Sequence, residues 1–126
     1  MLNLKFIRYD MSILQTILIF CTVLLLSIGQ ILFKLASNDI ELNFEKIIPS
    51  LLNIKLVIAF VVYSAATILW MIGIKGVPLR LAYPFSALAF FFVPMMAHHI
   101  LNESIGWNTY VGALIIALGV FISVYK

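Results

Sequence analysis

Long uncharged stretches alternate with short charged ones along this chain of 126 residues. Asp, Glu, Lys and Arg are absent from four stretches, residues 11–33, 56–74, 81–102 and 104–125. A helix needs roughly 20 apolar residues to cross about 30 Å of hydrocarbon. The pattern therefore predicts four transmembrane helices, at about residues 12–36, 56–74, 81–101 and 107–125.

These helices predict an all-α integral membrane protein, a four-transmembrane-helix bundle that forms a single domain over residues 1–126. The connections at 75–80 and 102–106 are short, which favours an antiparallel series of neighbours for the last three helices. A cleaved signal peptide is the alternative for the first helix. Its apolar run is longer than the roughly 7–15 residues of a signal-peptide core, so a retained helix is the better interpretation.

The one long connection, residues 37–55, carries apolar residues at helical spacing. They stand at i, i+3, i+4, i+7 and i+8, and they are Phe44, Ile47, Ile48, Leu51 and Leu52. Pro49 is unfavourable inside a helix but favourable as its first residue. We therefore expect either an interfacial turn or an early start of the second transmembrane helix.

Composition supports a membrane protein, because 64% of the residues are hydrophobic and 10% are charged, against about a quarter charged in soluble domains. Lys and Arg favour the cytoplasmic side of a membrane. One predicted face carries more of them than the other, with Lys5, Arg8, Lys75, Arg80 and Lys126 against Lys34, Lys46 and Lys55. This bias favours cytoplasmic termini, and an inverted or dual arrangement stays open. The net charge of +3 therefore reports orientation rather than nucleic-acid binding.

Polar side chains occupy one face of the first helix, where Ser27, Gln30 and Lys34 stand at i, i+3 and i+7. An amide within hydrocarbon needs a partner or a wet cavity. Either Gln30 bonds a neighbouring helix and Lys34 extends to the interface, or both face a substrate. Glu103 ends the third helix at the same membrane face as Lys34. It either pairs with Lys34, binds a zwitterionic or phosphate-bearing ligand beside it, or helps to start the fourth helix.

Three side chains of the second helix, Tyr63, Thr67 and Trp70, stand at i, i+4 and i+7 and so share a face. Aromatic residues at this spacing either pack against a neighbouring helix or line a substrate site. Both interpretations stay open from the sequence.

The third helix begins with a proline, Pro84, that removes a backbone donor and bends or unwinds the first turn. A second proline, Pro94, follows. An interrupted membrane helix indicates a transport site. Arg80 either holds a phosphate there or anchors the helix, and Tyr83 and Ser86 offer hydrogen bonds.

Small residues recur along the fourth helix. Gly112, Gly119 and Ser123 share one face, and Ala113 and Ala117 form a small-xxx-small pair beside them. Small residues let membrane helices approach closely. We expect a helix-packing surface here. Because four helices alone enclose little cavity, we also expect a dimer.

Motifs for catalysis and for cofactor binding are missing, since the chain has no P-loop, no H-E-x-x-H and no G-x-S-x-G. His98 and His99 point about 100° apart on a helix, which is poor geometry for one metal ion. Cys21 has no partner for a disulfide within the chain. The sequence predicts neither an enzyme nor a cofactor or metal site.

Three stretches together resemble the four-helix, half-length, EamA-like members of the drug/metabolite transporter superfamily. They read "GQILFKLAS", "LWMIGIKGVPLRLAYPFSAL" and "LNESIGWNTYVGALIIALGVFIS". The resemblance is closest to the small flippase subunits for aminoarabinose-phosphoundecaprenol, which share G-Q-x-x-x-K after helix 1 and V-P-x-x-x-A-Y-P before helix 3. Arg80 departs from that pattern, because the position is often small in those subunits.

Small multidrug-resistance exporters are similar in size and layout, but they depend on a glutamate within helix 1. Aligned through Gly29 and Lys34, that position is Leu26 in this chain, and residues 11–33 contain no carboxylate. A carboxylate gives a site both cation affinity and proton coupling. Leu26 therefore argues against drug–proton antiport.

The resemblance implies a subunit that flips an undecaprenyl-phosphate-linked sugar, working as a homodimer or as a heterodimer with a similar small subunit. Lys34 and Arg80 would neutralise the phosphate, Trp70 would line the site, and hydrogen bonds would come from Gln30, Tyr63, Tyr83, Ser86 and Glu103. The partners would be membrane lipids and the lipid-linked sugar, with no nucleic acid. The alternatives are a small multidrug-type exporter and a non-transporting membrane scaffold for a glycosyltransferase.

Overall fold

Helix α1, Ile13–Ser37, is the central element of the structure, a computed structural model that describes residues 11–125 and only the backbone of residues 123 and 124. Ser12 begins the helix with a capping box. Its Oγ accepts a hydrogen bond from the Gln15 backbone N–H at 3.2 Å, and Gln15 Oε1 accepts one from the Ser12 N–H at 3.0 Å. The box satisfies donors that have no partner inside the helix.

The orientation predicted from charge rests partly on residues outside that range. Lys5, Arg8, Asp10 and Lys126 lie outside the described residues, and so does the side chain of Ser123. The orientation of the chain in the membrane therefore stays a prediction.

Helix α1 forms an antiparallel pair with a later helix, Ile54–Gly73, which we number α3. At one end of the pair, Lys55 Nζ lies 2.7 Å from Asp39 Oδ2. At the other end, Gln15 Nε2 donates to the Lys75 carbonyl at 3.3 Å. These contacts tie the end of α1 to the start of α3 and the start of α1 to the segment after α3.

Small residues bring α1 and α3 close together. A Cβ atom at Gly29 would lie 3.1 Å from Cδ2 of Tyr63, and one at Gly73 would lie 3.1 Å from Cγ1 of Ile19. Three alanines on these helices are fully buried: Ala36, Ala59 and Ala66. Phe33 adds edge-to-face ring contacts to α3. The pair is thus held by close van der Waals packing, as expected for helices in lipid.

A short helix, α2, Ile47–Leu51, interrupts the long connection, and Pro49 lies within it. The apolar spacing predicted a helix there, but Pro49 does not begin α3. Asn53 does so instead, because its Oδ1 accepts a hydrogen bond from the Leu56 N–H at 2.7 Å and caps the new helix. The connection therefore forms a separate turn of helix, and α3 starts at Ile54.

The third membrane segment is a composite of three helical pieces. It consists of α4, Leu79–Ala82, a 3₁₀ helix, Tyr83–Leu88, and α5, Ala89–Leu101. The expected loosening at Pro84 is present, but it extends over six residues rather than one turn. Pro84 has no N–H to donate to the carbonyl four residues earlier, and the chain tightens into 3₁₀ geometry. Pro94 lies inside α5 without ending it.

The expected series of neighbouring helices is wrong in one respect. Helix α1 packs against both α3 and α5, so it lies between them, and no comparably close packing joins α3 to the third segment within residues 11–125. Phe20 of α1 meets Phe92 of α5 edge-to-face at 5.8 Å. A short connection thus does not make α3 and the third segment direct packing partners, because α1 offers small residues to α3 and a ring contact to α5.

The last helix, α6, Trp107–Val124, packs on the 3₁₀ helix and on α5. In the described part of the chain all regular elements are helical. Three segments are long and apolar enough to cross a membrane, Ile13–Ser37, Ile54–Gly73 and Leu79–Leu101, and α6 adds a shorter apolar helix. The all-α membrane fold is confirmed.

Replacing Ala66 by Leu should destabilise the α1–α3 pair. Ala66 is fully buried, and adding methylene groups to a packed interface lowers the free energy of unfolding by about 2 kcal/mol. Ala65→Leu is the matched control, because Ala65 is exposed on the same helix. Unfolding in detergent, followed by circular dichroism, measures both. Equal stability of the two variants would contradict this packing.

Candidate functional site

A cleft opens between α3 and the 3₁₀ helix, and we call it the aromatic cleft. Its volume is about 330 Å³, and its lining consists of Leu26, Tyr63, Thr67, Trp70, Tyr83 and Ser86. Helix α1 separates α3 from the third segment, so Leu26 of α1 contributes to the cleft from between them. The structure therefore brings together five side chains that the sequence singled out on two different helices: Tyr63, Thr67, Trp70, Tyr83 and Ser86.

Local geometry explains why these side chains converge. On α3, residues at i, i+4 and i+7 share a face, and Tyr63 is oriented by ring contact with Phe33 at 5.5 Å between centroids. On the 3₁₀ helix, residues at i and i+3 lie directly above one another. Tyr83 and Ser86 have this spacing. Two unrelated periodicities thus place five side chains in one cleft.

The polar groups of the cleft are hydroxyls and an indole. Thr67 Oγ1 donates to the Tyr63 carbonyl at 2.9 Å, and Ser86 Oγ donates to the Tyr83 carbonyl at 2.6 Å. Each hydroxyl oxygen still has lone pairs to accept a hydrogen bond. No residue that lines the cleft carries a formal charge. The cleft offers aromatic faces and hydrogen bonds, which suit a sugar or another neutral polar group.

A second cavity, of about 400 Å³, lies between the third segment and α6. It shares Tyr83 and Ser86 with the aromatic cleft and adds Arg80. Arg80 is exposed and belongs to neither ion pair found among the described residues. Arg80 is three residues before Tyr83, so among the Lys and Arg residues it is the one closest in sequence to a residue that lines the aromatic cleft.

Three predicted site residues lie outside both cavities. Gln30 and Lys34 are exposed on α1, and Lys34 lies eight residues beyond Leu26, about 12 Å along the helix. Glu103 is exposed after α5. In the described part of the chain Lys34 and Glu103 form no ion pair with each other, because the ion pairs there are Lys46–Glu41 and Lys55–Asp39. The structure thus separates these residues from the cleft.

Other polar groups near the site serve the helices themselves. Ser27 is buried, and its Oγ donates to the Val23 carbonyl at 2.8 Å. His98 Nδ1 lies 2.7 Å from the carbonyl oxygen of Glu103. Since a carbonyl only accepts, His98 carries its proton on Nδ1 and closes the turn after α5. Neither residue reaches the aromatic cleft.

The two small-residue patterns of α6 face in different directions. Ala113 is buried, and Ala117 lines a cavity against the 3₁₀ helix, so this pair packs inside the chain. A Cβ atom at Gly112 or Gly119 would meet no atom within 4 Å. The glycine face is therefore open, and its role in a dimer stays a prediction.

Sequence reasoning missed the apolar residues of the second cavity, such as Ala87, Ile116 and Val120. Ile116 and Val120 stand at i and i+4 on α6 beside the small Ala113 and Ala117. From the sequence, the spacing of Ala113 and Ala117 indicated a helix-packing face. Only the separation between α6 and the third segment turns the same face into the wall of a cavity.

These features define a multi-pass, all-helical membrane protein with an open polar cleft beside an interrupted helix. A model of the EamA-like transporter family matches residues 6–125. The chain belongs to this family. It is accordingly a membrane transporter subunit, and not an enzyme.

Within the curated proteins, the chain is similar to two flippase subunits. The chain is 25% identical over 112 residues to a probable 4-amino-4-deoxy-L-arabinose-phosphoundecaprenol flippase subunit, ArnF, of Proteus mirabilis (strain HI4320), covering 80% of this chain and 84% of the relative. It is 33% identical over 67 residues to the corresponding probable subunit ArnE of Enterobacter sp. (strain 638), covering 53% and 63%. No solved structure matches the chain. The resemblance inferred from the motifs is confirmed.

A cysteine placed in the cleft should react with a charged, membrane-impermeant thiol reagent. In a Cys21→Ser background, we expect Thr67→Cys to react several-fold faster than Ile68→Cys. The thiolate is the reactive species, and it forms in water but not in hydrocarbon. Ile68 is 54% exposed on the adjacent position of α3 and does not line the aromatic cleft, which makes it the matched control. Mass spectrometry measures the adduct, and equal rates would show that the cleft is not hydrated.

Proposed function

We propose that this protein is a subunit of a flippase that moves a polyprenyl-phosphate-linked sugar across the bacterial inner membrane, with both termini in the cytoplasm. The aromatic cleft is the observation that carries the proposal. It combines uncharged hydrogen-bonding groups with aromatic faces and lies directly beside the Arg80 cavity. A sugar next to a phosphate requires that pair of environments.

Arg80 and Lys34 would bind the phosphate in turn, each near a different membrane face. Arg80 precedes the 3₁₀ helix at the start of the third segment, and Lys34 lies near the end of α1. Because α1 and α3 are antiparallel and the third segment follows α3, these residues are near opposite membrane faces. Charge-assisted hydrogen bonds to phosphate are the strong ones. Arg80 would receive the head group on one side, and Lys34 would release it on the other.

Gln30 and Glu103 extend this path beyond the cleft. Gln30 is one helical turn from both Leu26 and Lys34, so it bridges the cleft and the cation. Glu103 is exposed at the end of the third segment, where it would accept hydrogen bonds from sugar hydroxyls or from an amino group. Both would act on the head group after it leaves the cleft.

A second subunit would complete the site. The relatives of this chain are named as flippase subunits, and the glycine face of α6 is open in this chain. Small residues at such a face allow close helix contact in lipid. We infer a dimer, either of two copies or of this chain with a similar small subunit, with Gly112 and Gly119 in the contact.

Leu26 weighs against a drug exporter. It lines the aromatic cleft, at the position where the motif alignment places the glutamate of small multidrug exporters. A leucine binds neither a cation nor a proton. The cleft therefore favours an anionic lipid with a neutral or cationic sugar over a quaternary cation.

Reconstitution tests the proposal directly. The protein, alone and together with a similar small subunit, is placed in vesicles of phosphatidylethanolamine and phosphatidylglycerol that contain a polyprenyl-phosphate-linked aminosugar. An impermeant amine reagent then measures the aminosugar that reaches the outer leaflet. Transfer above protein-free vesicles supports the flippase. Transfer no faster than in protein-free vesicles, with loss of a partner enzyme's activity on deletion, would identify a scaffold instead.

Lys34→Ala should lower this transfer by about ten- to a hundredfold, because a hydrogen bond to a charged group contributes roughly 1.5–3 kcal/mol. Lys46→Ala is the control. Lys46 is also exposed near the same membrane face, but its Nζ lies 3.1 Å from Glu41 Oε2. Immunoblotting checks that both variants accumulate equally. Full transfer by the Lys34 variant would show that Lys34 is not needed to bind the phosphate during transfer.

Trp70→Leu should lower transfer by about fivefold, because an aromatic contact contributes roughly 1 kcal/mol beyond its area. Trp107→Leu serves as the control, since Trp107 is 81% exposed and lines no part of the cleft. The same vesicle assay measures both variants. An equal effect of the two substitutions would show that the cleft does not hold the head group.

A further inference from the structure

The third segment and α6 are separated by a row of cavities. Three of them lie along the boundary, with volumes of about 400, 290 and 100 Å³. Helix α6 contacts the 3₁₀ helix and α5, with no comparably close packing on α1 or α3 in the described part of the chain. We call this row of cavities the apolar groove.

The cavities of the apolar groove adjoin one another, because they share lining residues. Pro84, Ala87 and Val120 line both of the larger cavities. Phe90 and Phe91 each line one of these and also the third. The two larger cavities lie beside the second half of α6, and the third lies beside its first half.

The apolar groove runs across the whole membrane segment. One end is at Arg80, in the first turn of the third segment. The other end is at Ile105 and Thr109, where α6 begins. The apolar groove therefore extends from one predicted membrane face to the other.

Its chemistry fits a long apolar chain with an anionic head. The cavity of about 290 Å³ has only apolar side chains in its walls. Arg80 provides a cation at one end, beside Tyr83 and Ser86, which the groove shares with the aromatic cleft. An anion held by Arg80 would thus lie where the two sites meet.

The length of the apolar groove distinguishes between two kinds of lipid chain that could occupy it. An acyl chain of a phospholipid fills one leaflet, about half of the roughly 30 Å of hydrocarbon. A polyprenyl chain is longer than one leaflet, and the apolar groove spans both. We propose that the apolar groove binds the isoprenoid chain of a polyprenyl phosphate, with its phosphate at Arg80 and the attached sugar in the aromatic cleft. This assignment rests on the proposed function and adds a site for the lipid chain.

Photo-cross-linking tests the assignment with adjacent positions at equal depth. Phe121→p-benzoylphenylalanine and Tyr110→p-benzoylphenylalanine place the cross-linker in the two ends of the groove. Ile122→p-benzoylphenylalanine and Val111→p-benzoylphenylalanine place it on exposed positions of α6 that line none of the three cavities. The probes are radiolabelled undecaprenyl phosphate and farnesyl phosphate, in vesicles of phosphatidylethanolamine and phosphatidylglycerol.

We expect undecaprenyl phosphate to label positions 121 and 110 several-fold more than 122 and 111, and farnesyl phosphate to label 121 only. Adding Arg80→Gln should reduce labelling at position 121 about tenfold, as for loss of a charge-assisted hydrogen bond, whereas Lys75→Gln should leave it unchanged. Equal labelling of neighbouring positions, or no labelling at 110, would overturn the assignment.

A measurement on the unsubstituted chain covers the case in which a cross-linker variant does not fold. Native mass spectrometry should show undecaprenyl phosphate retained against excess phosphatidylglycerol, and Arg80→Gln should abolish that preference. No preference in the unsubstituted chain would overturn the assignment. Labelling of the groove without transfer in vesicles would refute the flippase and leave the groove standing, whereas transfer without labelling would refute only the groove.

Discussion

Close packing between α1 and α3 is the interaction on which the rest of the structure depends. In lipid, helices gain little from hiding apolar surface, so their association relies on van der Waals fit and satisfied polar groups. Gly29 and Gly73 give that fit, because each leaves room for one side chain of the partner helix. The hydroxyls of Thr22 and Ser27 donate to carbonyls of their own helix, at 2.8 Å in each case. They therefore allow burial without needing water.

The position of α1 creates the functional surfaces. Since α1 packs on α3 and on α5, it keeps α3 and the third segment apart and leaves the aromatic cleft between them. Pro84 then determines how the third segment presents its side chains. The 3₁₀ geometry aligns Tyr83 and Ser86, and both walls of this short helix face a cavity. A regular α-helix at the same place would rotate these two side chains away from a common line.

Much of this fold follows from sequence periodicity. Charge-free runs predicted the membrane helices within a few residues, and the spacing of Tyr63, Thr67 and Trp70 predicted their shared face. The order of packing was not accessible, because short connections indicate neighbours in sequence and say nothing about a helix inserted between them. The extent of the 3₁₀ helix was equally hidden, since Pro84 removes one donor but the following residues have no sequence signal for 3₁₀ geometry.

The aromatic residues of the predicted site lie together in one cleft and the charged ones lie apart, for the same physical reason. Aromatic and small polar side chains have at most two side-chain torsions, so the backbone that carries them largely fixes where they lie. Gln30, Lys34 and Glu103 have more torsions and lie toward one membrane face, where water allows many positions. Gln30 and Lys34 are both exposed on α1, but this exposure does not place them in the cleft. The structure leaves these residues exposed, and their role in transport remains a proposal.

Leu26 bears on the kind of head group that the proposed flippase would accept in the aromatic cleft. Two like charges near 4 Å repel by about 4 kcal/mol at an effective dielectric constant of 20, so a carboxylate at this position would oppose a phosphate at the neighbouring Arg80 cavity. A leucine removes that repulsion and gives the cleft an apolar wall for the less polar face of a sugar ring. The positive charge then lies outside the cleft, at Arg80 and Lys34, where water surrounds it before binding. Under the proposed function, the cleft would recognise the neutral part of an anionic lipid and leave its phosphate to the cations at either end.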